Sequence, residues 1–257
     1  MATIVVIAGD TSTGKSTAYC PVDKPYLKIK GLNSSETFLF NIASKPVPMK
    51  GGQELYPILP IELNVNKQYQ ITGKGRRYDG HDYGAIITIL RALHKSPVTK
   101  YIIVDDFQYA MALDFFERRN EVGFDKYGKI GFSIIELIKE LNALPEHMIV
   151  FLLTHTDTEI NGDTVNTKLK TIGKMLDEKF SLTGLFSIVL NSVARFNKRE
   201  KKMEYRFITQ AQNVSDITKT PIGMFEDIDE MPLYEIPNDL GIVADAVIAF
   251  STIINKQ

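Results

Sequence analysis

The chain has a single cysteine, no long apolar run and a formal net charge of only −1. Each shortage removes a class of protein. Cys20 alone builds neither a disulfide framework nor a cysteine-ligated zinc site, which fits a reducing, cytoplasmic compartment. No apolar stretch approaches the length of a membrane span, and the first residues run straight into a short apolar segment and a glycine. Neither a membrane partner nor a secretion signal is therefore expected. A charge near zero supplies no global field to draw in nucleic acid, so such binding needs a local patch. His81, His94 and His147 lack metal-ligand spacing, and the chain holds no internal repeat or low-complexity segment. What is there is a 257-residue chain, 44% hydrophobic and 24% charged, long enough to bury its own core as a single domain.

Residues 9–16 read Gly9-Asp10-Thr11-Ser12-Thr13-Gly14-Lys15-Ser16, a complete G-x-x-x-x-G-K-[ST] pattern. The preceding Ile4-Val5-Val6-Ile7-Ala8 is short, apolar and bounded by glycine, as a buried parallel strand should be. Glycines in such a loop let the backbone approach phosphate oxygens, and successive N–H groups form an anion nest at the start of a helix. Lys15 is expected to reach the β- and γ-phosphates, and the Ser16 hydroxyl to ligate Mg²⁺. The expected nucleotide contacts are thus Gly9, Asp10, Thr11, Ser12, Thr13, Gly14, Lys15, Ser16 and Thr17, with ATP and Mg²⁺ as ligands.

Downstream, Pro21 and Pro25 cut the next helix to about two turns. Thr37–Ile42 reads as a strand, and residues 43–80 as an irregular insertion with a hairpin through Ile61–Asn64 and Tyr69–Ile71. Tyr83–His94 reads as a helix burying Ile86, Ile87, Leu90 and Leu93. Lys100–Asp105 reads as a buried strand, followed by helices over Tyr109–Arg118 and Tyr127–Leu144. The second of these carries Ile130, Ile134, Leu137, Ile138 and Leu141 at helical spacing. Met148–Thr154 is another apolar strand. Strands around Leu185–Leu190 and Tyr205–Thr209 flank a charged turn, Asn197–Lys202. A last helix, capped by Asn238 or Asp239, buries Leu240, Val243, Val247, Phe250 and Ile254. Alternating strands and helices followed by a late hairpin predict an α/β fold, mostly parallel, with an antiparallel C-terminal hairpin.

Tyr101-Ile102-Ile103-Val104-Asp105-Asp106 is an apolar run ending in two acids. A strand that delivers carboxylates at its C-terminal end is the second requirement of triphosphate chemistry. Asp105 is assigned to Mg²⁺ and Asp106 to the base that polarises water. Ligands of open α/β sheets lie beyond the carboxyl ends of the strands, which selects Thr154 and His155 as a sensor of the γ-phosphate. Two basic clusters remain. One is Lys168-Leu169-Lys170-Thr171-Ile172-Gly173-Lys174, after the polar loop 157–167. The other is Arg195, Lys198, Arg199, Lys201 and Lys202 at the late turn, beside Phe196 and Tyr205, on which single-stranded bases would stack.

In order and spacing, the loop, Val104-Asp105-Asp106-Phe107-Gln108-Tyr109, Thr154-His155 and Lys170-Thr171-Ile172-Gly173-Lys174 follow a familiar pattern. It continues through Thr218-Lys219-Thr220-Pro221-Ile222-Gly223-Met224-Phe225 and Pro237-Asn238-Asp239-Leu240, and Asn41-Ile42-Ala43-Ser44-Lys45-Pro46 precedes it. Over nearly its whole length the chain resembles the phage-encoded AAA/RecA-like ATP-binding proteins, a group that includes single-strand-annealing recombinases. The resemblance implies a RecA-type P-loop NTPase core, Mg²⁺-dependent ATP hydrolysis, homo-oligomers, and action on single-stranded DNA in the host cytoplasm. It also implies that Lys168 and Lys170 act across a subunit interface. The chain departs from the pattern at one place: RecA-like ATPases put a glutamate base on the strand next to the loop, whereas here the second strand leads to Lys45 and Pro46. Slow hydrolysis is the consequence. Two other readings share the loop. A small-molecule or nucleotide kinase would use Gly73-Lys74-Gly75-Arg76-Arg77 as its lid, and a nucleotide-gated assembly module would bind with little turnover.

Overall fold

Short apolar runs become strands wherever they can be buried on both faces, and the chain in the computed structural model follows that rule closely. Thr3–Gly9 is β1, with Val5 to Ala8 buried, and Val22–Lys24 and Leu27–Ile29 form a small hairpin, β2 and β3. Next come β4 (Thr37–Asn41), the single helical turn α1 (Gly52–Leu55), β5 (Ile61–Leu63), β6 (Tyr69–Ile71) and β7 (Arg77–Asp79). Helix α2 (Tyr83–Leu93) leads into β8 (Tyr101–Asp105), α3 (Gln108–Glu117) and α4 (Asp125–Asn142). The chain then forms β9 (Ile149–Asn161), β10 (Thr164–Leu169), β11 (Ile188–Asn197), β12 (Lys202–Ile208), β13 (Glu235–Pro237) and α5 (Leu240–Ile254). The described residues are 1–123, 125–161, 164–172, 181–213 and 216–254. Gly173 and Lys174 of the first basic cluster lie outside them. The result is an α/β protein whose sheet is mostly parallel and flanked by helices.

Two compact units divide the chain. The first comprises Met1–Ile4, Asn33–Leu152 and Thr171–Leu182. In it β4 lies between β7 and β8 and β8 pairs with β9, all parallel, with Asn41 opposite both Asp79 and Asp105. Helix α4 packs against α2 and α3 and buries Ile130, Ile134, Leu137, Ile138 and Leu141, the five positions its periodicity selects. Helix α2 starts where the Asp82 carboxylate accepts from the Ala85 N–H at 3.0 Å. It buries Ala85, Ile86, Ile89 and Leu90, so its inner face is rotated from the expected one and Ile87 and Leu93 are only half-buried. The β5–β6 hairpin falls where the sequence places it.

The second unit comprises Val5–Leu32, Leu153–Lys170 and Thr183–Gln257. Here β1 pairs with β11 in parallel, and β11, β12 and β13 follow antiparallel, as expected of the C-terminal hairpin. Helix α5 is capped by Asp239 rather than Asn238: the Asp239 carboxylate accepts from the Gly241 N–H at 2.8 Å. Leu240, Val243 and Val247 are buried as expected, while Phe250 stays half-buried. Two sequence expectations are corrected. No regular helix follows the glycine loop, because residues 15–20 form only overlapping turns in which the Gly14 carbonyl accepts from both Thr17 and Ala18. Cys20 stands before Pro21, and a residue in that position is driven from helical backbone. Strand β9 also does not end at His155; it runs on to Asn161, paired antiparallel with β10, so residues 157–167 are largely a hairpin rather than a loop.

Candidate functional site

In the second unit β1 ends at Gly9, opposite Ser192 of β11. A Cβ on Gly9 would stand 2.4 Å from the Ser192 carbonyl oxygen, so only glycine lets the two strands meet there. The loop then turns through left-handed backbone at Ser12 (φ 66°) and Gly14 (φ 87°). Such a conformation costs a non-glycine residue like Ser12 about 1 kcal/mol and is kept only where the surroundings impose it. They do. The Thr13 carbonyl accepts from the Ser192 hydroxyl (2.9 Å) and from the Asn238 amide (3.2 Å), and that amide also donates to Ser192 Oγ (2.9 Å). A trans peptide points its N–H opposite its carbonyl, so this clamp aims the Gly14 N–H away from Ser192 and Asn238. The Thr13 hydroxyl closes the turn on the Asp10 carbonyl at 2.9 Å.

Lys15 is only 7% exposed, and its Nζ donates to the carbonyls of Gly9 (2.8 Å) and Asp10 (2.7 Å). A buried ammonium is costly unless dipoles or charges meet it. Here the loop folds around the lysine, so the cation sits inside the turn that the phosphates would enter. No regular helix stands behind the loop, so the helix-dipole part of the expectation is lost.

The far side of the loop leans on β9. The Thr156 hydroxyl donates to the Asp10 carboxylate at 3.0 Å, and His155 Nδ1 lies 3.4 Å from the Thr11 hydroxyl. His155 is thus next to the loop, as a sensor must be, whereas Thr154 is buried within the strand. The Lys168 ammonium, on β10, binds Glu159 of β9 at 2.7 Å, and the Lys170 N–H donates to the His155 carbonyl at 2.8 Å. Both lysines therefore lie on or beside the β9–β10 hairpin. The second basic cluster is partly neutralised: Arg195 binds Glu235 at 2.9 Å and Lys202 binds Glu200 at 2.5 Å. Phe196 is exposed.

The acidic pair belongs to the first unit, at the end of β8. Asp105 and Asp106 are both buried, and Asp106 takes left-handed backbone (φ 63°). Asp106 Oδ2 accepts from Lys45 Nζ at 2.5 Å, and that ammonium also lies 5.4 Å from the centre of the Tyr109 ring. Burial works against the charge on Lys45, but the hydrogen bond and charge of Asp106, with Tyr109 and Asp105 nearby, outweigh it and hold its pKa above the ordinary lysine value. The lysine's backbone is fixed too. Asn41 donates to the carbonyl of Lys45 (2.7 Å) and to Asp79 (2.7 Å), and accepts from the Lys45 N–H at 3.1 Å. Sequence reasoning noted Lys45 as a departure but gave no hint of this ion pair; Ser192, Thr156 and Asn238 as loop supports were missed outright.

Among the described residues no group of three or more His, Cys, Asp or Glu side chains could hold a metal by itself. A single strand-end carboxylate such as Asp105 suits Mg²⁺, which keeps waters and substrate phosphates as its remaining ligands. The segment 73–77 does not have the form of a lid. Arg77 is 3% exposed in β7, and a Cβ on Gly75 would stand 2.3 Å from the Leu59 nitrogen. No helix among the described residues is long and apolar enough to cross a membrane. Protein-family models and curated proteins give no match to this chain.

Proposed function

We propose that the chain binds Mg²⁺-ATP at Gly9–Thr17 and hydrolyses it slowly, as a phage RecA-like P-loop protein of the host cytoplasm acting on single-stranded DNA. The observation that carries the reading is the seat of Lys15, a buried ammonium held by loop carbonyls at the end of a buried strand. A phosphate forms a charge-assisted hydrogen bond with an ammonium held in such a turn, stronger than a bond to a neutral carbonyl. Lys15 takes the β- and γ-phosphates, and Ser16 and Asp105 take the metal, which when bound neutralises phosphate charge. Asp106 orients and polarises the attacking water, and His155 reports the state of the γ-phosphate to β9. Lys168 and Lys170 serve a neighbouring subunit of a homo-oligomer, Lys168 by exchanging Glu159 for phosphate. The exposed Phe196 and the basic turn 197–202 supply the DNA contact.

ATP binding and turnover, measured with and without single-stranded DNA over a salt series, test this. DNA should bind more weakly as salt rises and should stimulate turnover. Absence of any DNA effect at low salt removes the recombination reading, and absence of ATP binding removes all of it. One observation favours a second reading. The Lys45–Asp106 pair engages the proposed base, which suits a nucleotide-gated assembly module that turns over little. ATP-dependent change in assembly mass with no phosphate release would select it. The form of 73–77 gives no support to a kinase.

A further inference from the structure

A cavity of about 590 Å³ opens beside the loop, lined only by residues of the second unit. Ser12, Gly14 and Thr17 border it on the loop side. Leu27 and Ile29 of the β2–β3 hairpin line it on another, with Met203 and Tyr205 of β12 and the adjoining Pro237 completing the wall. Its volume falls within the roughly 300–1,000 Å³ of small-molecule sites. The cavity and the loop are continuous through Tyr205, because a Cβ on Gly14 would come 3.0 Å from Tyr205 Cδ1. The hairpin wall is anchored as well. The Asp239 carboxylate accepts from the N–H groups of Lys30 (2.5 Å) and Gly31 (3.0 Å), and the Lys30 ammonium binds Asp245 at 2.5 Å.

We propose that this cavity holds the purine base and ribose of the bound triphosphate, with the base stacked on Tyr205. The proposal rests on the loop reading above. A nucleotide whose phosphates occupy 9–17 meets, immediately beyond Gly14, an aromatic ring and an apolar slot between two anchored walls. Three of the polar side chains around the slot are exposed or already engaged. Lys28 is 81% exposed in its side chain, Asn238 is committed to Thr13 and Ser192, and Glu204 accepts from Asn197 at 2.7 Å. Strong discrimination between analogues needs buried groups that are left unpaired by the wrong one. The site therefore prefers purines over pyrimidines by stacking area and separates ATP from GTP only weakly. Tyr205 accordingly serves the nucleotide, leaving Phe196 for DNA.

Affinities of the wild-type chain, Tyr205→Ala and Tyr205→Phe for ATP, GTP, UTP and inorganic tripolyphosphate, all with Mg²⁺, test the proposal. The expected result is a loss of roughly 5- to 150-fold for ATP in Tyr205→Ala, the range of base–aromatic stacking. Tripolyphosphate affinity should stay the same, and Tyr205→Phe should restore ATP. Because Tyr205 also abuts Gly14, Leu27→Asp on the opposite wall is the second variant, with the same selective loss expected. Equal losses for ATP and tripolyphosphate in both alanine and aspartate variants, no loss in either, or UTP bound as tightly as ATP would each overturn it. So would loss of single-stranded DNA affinity with ATP spared. Failure of the loop reading looks different: tripolyphosphate then does not bind the wild-type chain, or binds Lys15→Ala equally well.

Discussion

Lys15 and Lys45 each stand just beyond a buried strand, one in each unit, and the fold surrounds them differently. Lys15 follows β1 and donates to two backbone carbonyls; Lys45 follows β4 and donates to a carboxylate. Carbonyl dipoles meet an ammonium without cancelling its charge, whereas a carboxylate opposes it directly. A carboxylate at 2.5 Å cancels much of that charge, so Lys45 holds its neighbour in place instead. Exposure runs the other way from what charge alone suggests. Lys15 is the buried one, because the loop closes over it, while the Lys45 side chain is more than half exposed.

The sharpest way to break this comparison is Lys15→Ala, which should lower ATP affinity by roughly 100-fold or more, as expected for two or more charge-assisted hydrogen bonds. Titration with nucleotide reads it directly, and an unchanged affinity would place Lys15 with Lys45 as a structural cation. Next in size, Asp106→Asn should cut kcat by roughly 10²- to 10⁴-fold, the usual worth of a general base, while ATP affinity stays within a few-fold. Unchanged turnover takes Asp106 out of that role and leaves the Lys45 pair purely structural.

Lys45→Met should cost about 1–3 kcal/mol in denaturant unfolding, more than a surface pair because the buried Asp106 loses the ammonium it accepts from. The double variant with Asp106→Asn should recover part of that loss, since a neutral amide does not call for the ammonium. The pH dependence has a definite sign. A lysine held above its ordinary pKa of 10.5 stabilises the fold fully below that value and loses the contribution as pH rises through the higher folded one. The stability gap between wild type and Lys45→Met should therefore be flat from neutral pH toward 10.5 and close above it. The smallest effect belongs to Asn238→Ala, about 1 kcal/mol of stability and a few-fold in ATP affinity, because Ser192 still holds the Thr13 carbonyl.

Where the determining interactions are local, the sequence was readable. The buried face of α4 follows from 3.6-residue spacing, and β1, β4 and β8 follow from short apolar runs. Elsewhere a local signal competed with a distant one. Strand β9 outlasts its apolar run because β10 offers a partner for its polar half. Helix α2 is rotated because Ile89 rather than Ile87 meets the core. Asn238 and Asp239 look equivalent as caps, yet Asn238 is taken by Thr13, 225 residues away, which leaves the helix to its neighbour.

By itself the sequence determined the loop, the two acids at the end of β8 and the α/β alternation, because glycine freedom, apolar runs and helical periodicity act within a few residues of their cause. The tertiary structure alone decided which lysine faces dipoles and which a carboxylate, what clamps Thr13, and which hairpin walls the cavity beside Gly14. Those choices rest on pairs 61 to 225 residues apart. Their energies exist only once strands from distant parts of the chain are hydrogen-bonded side by side.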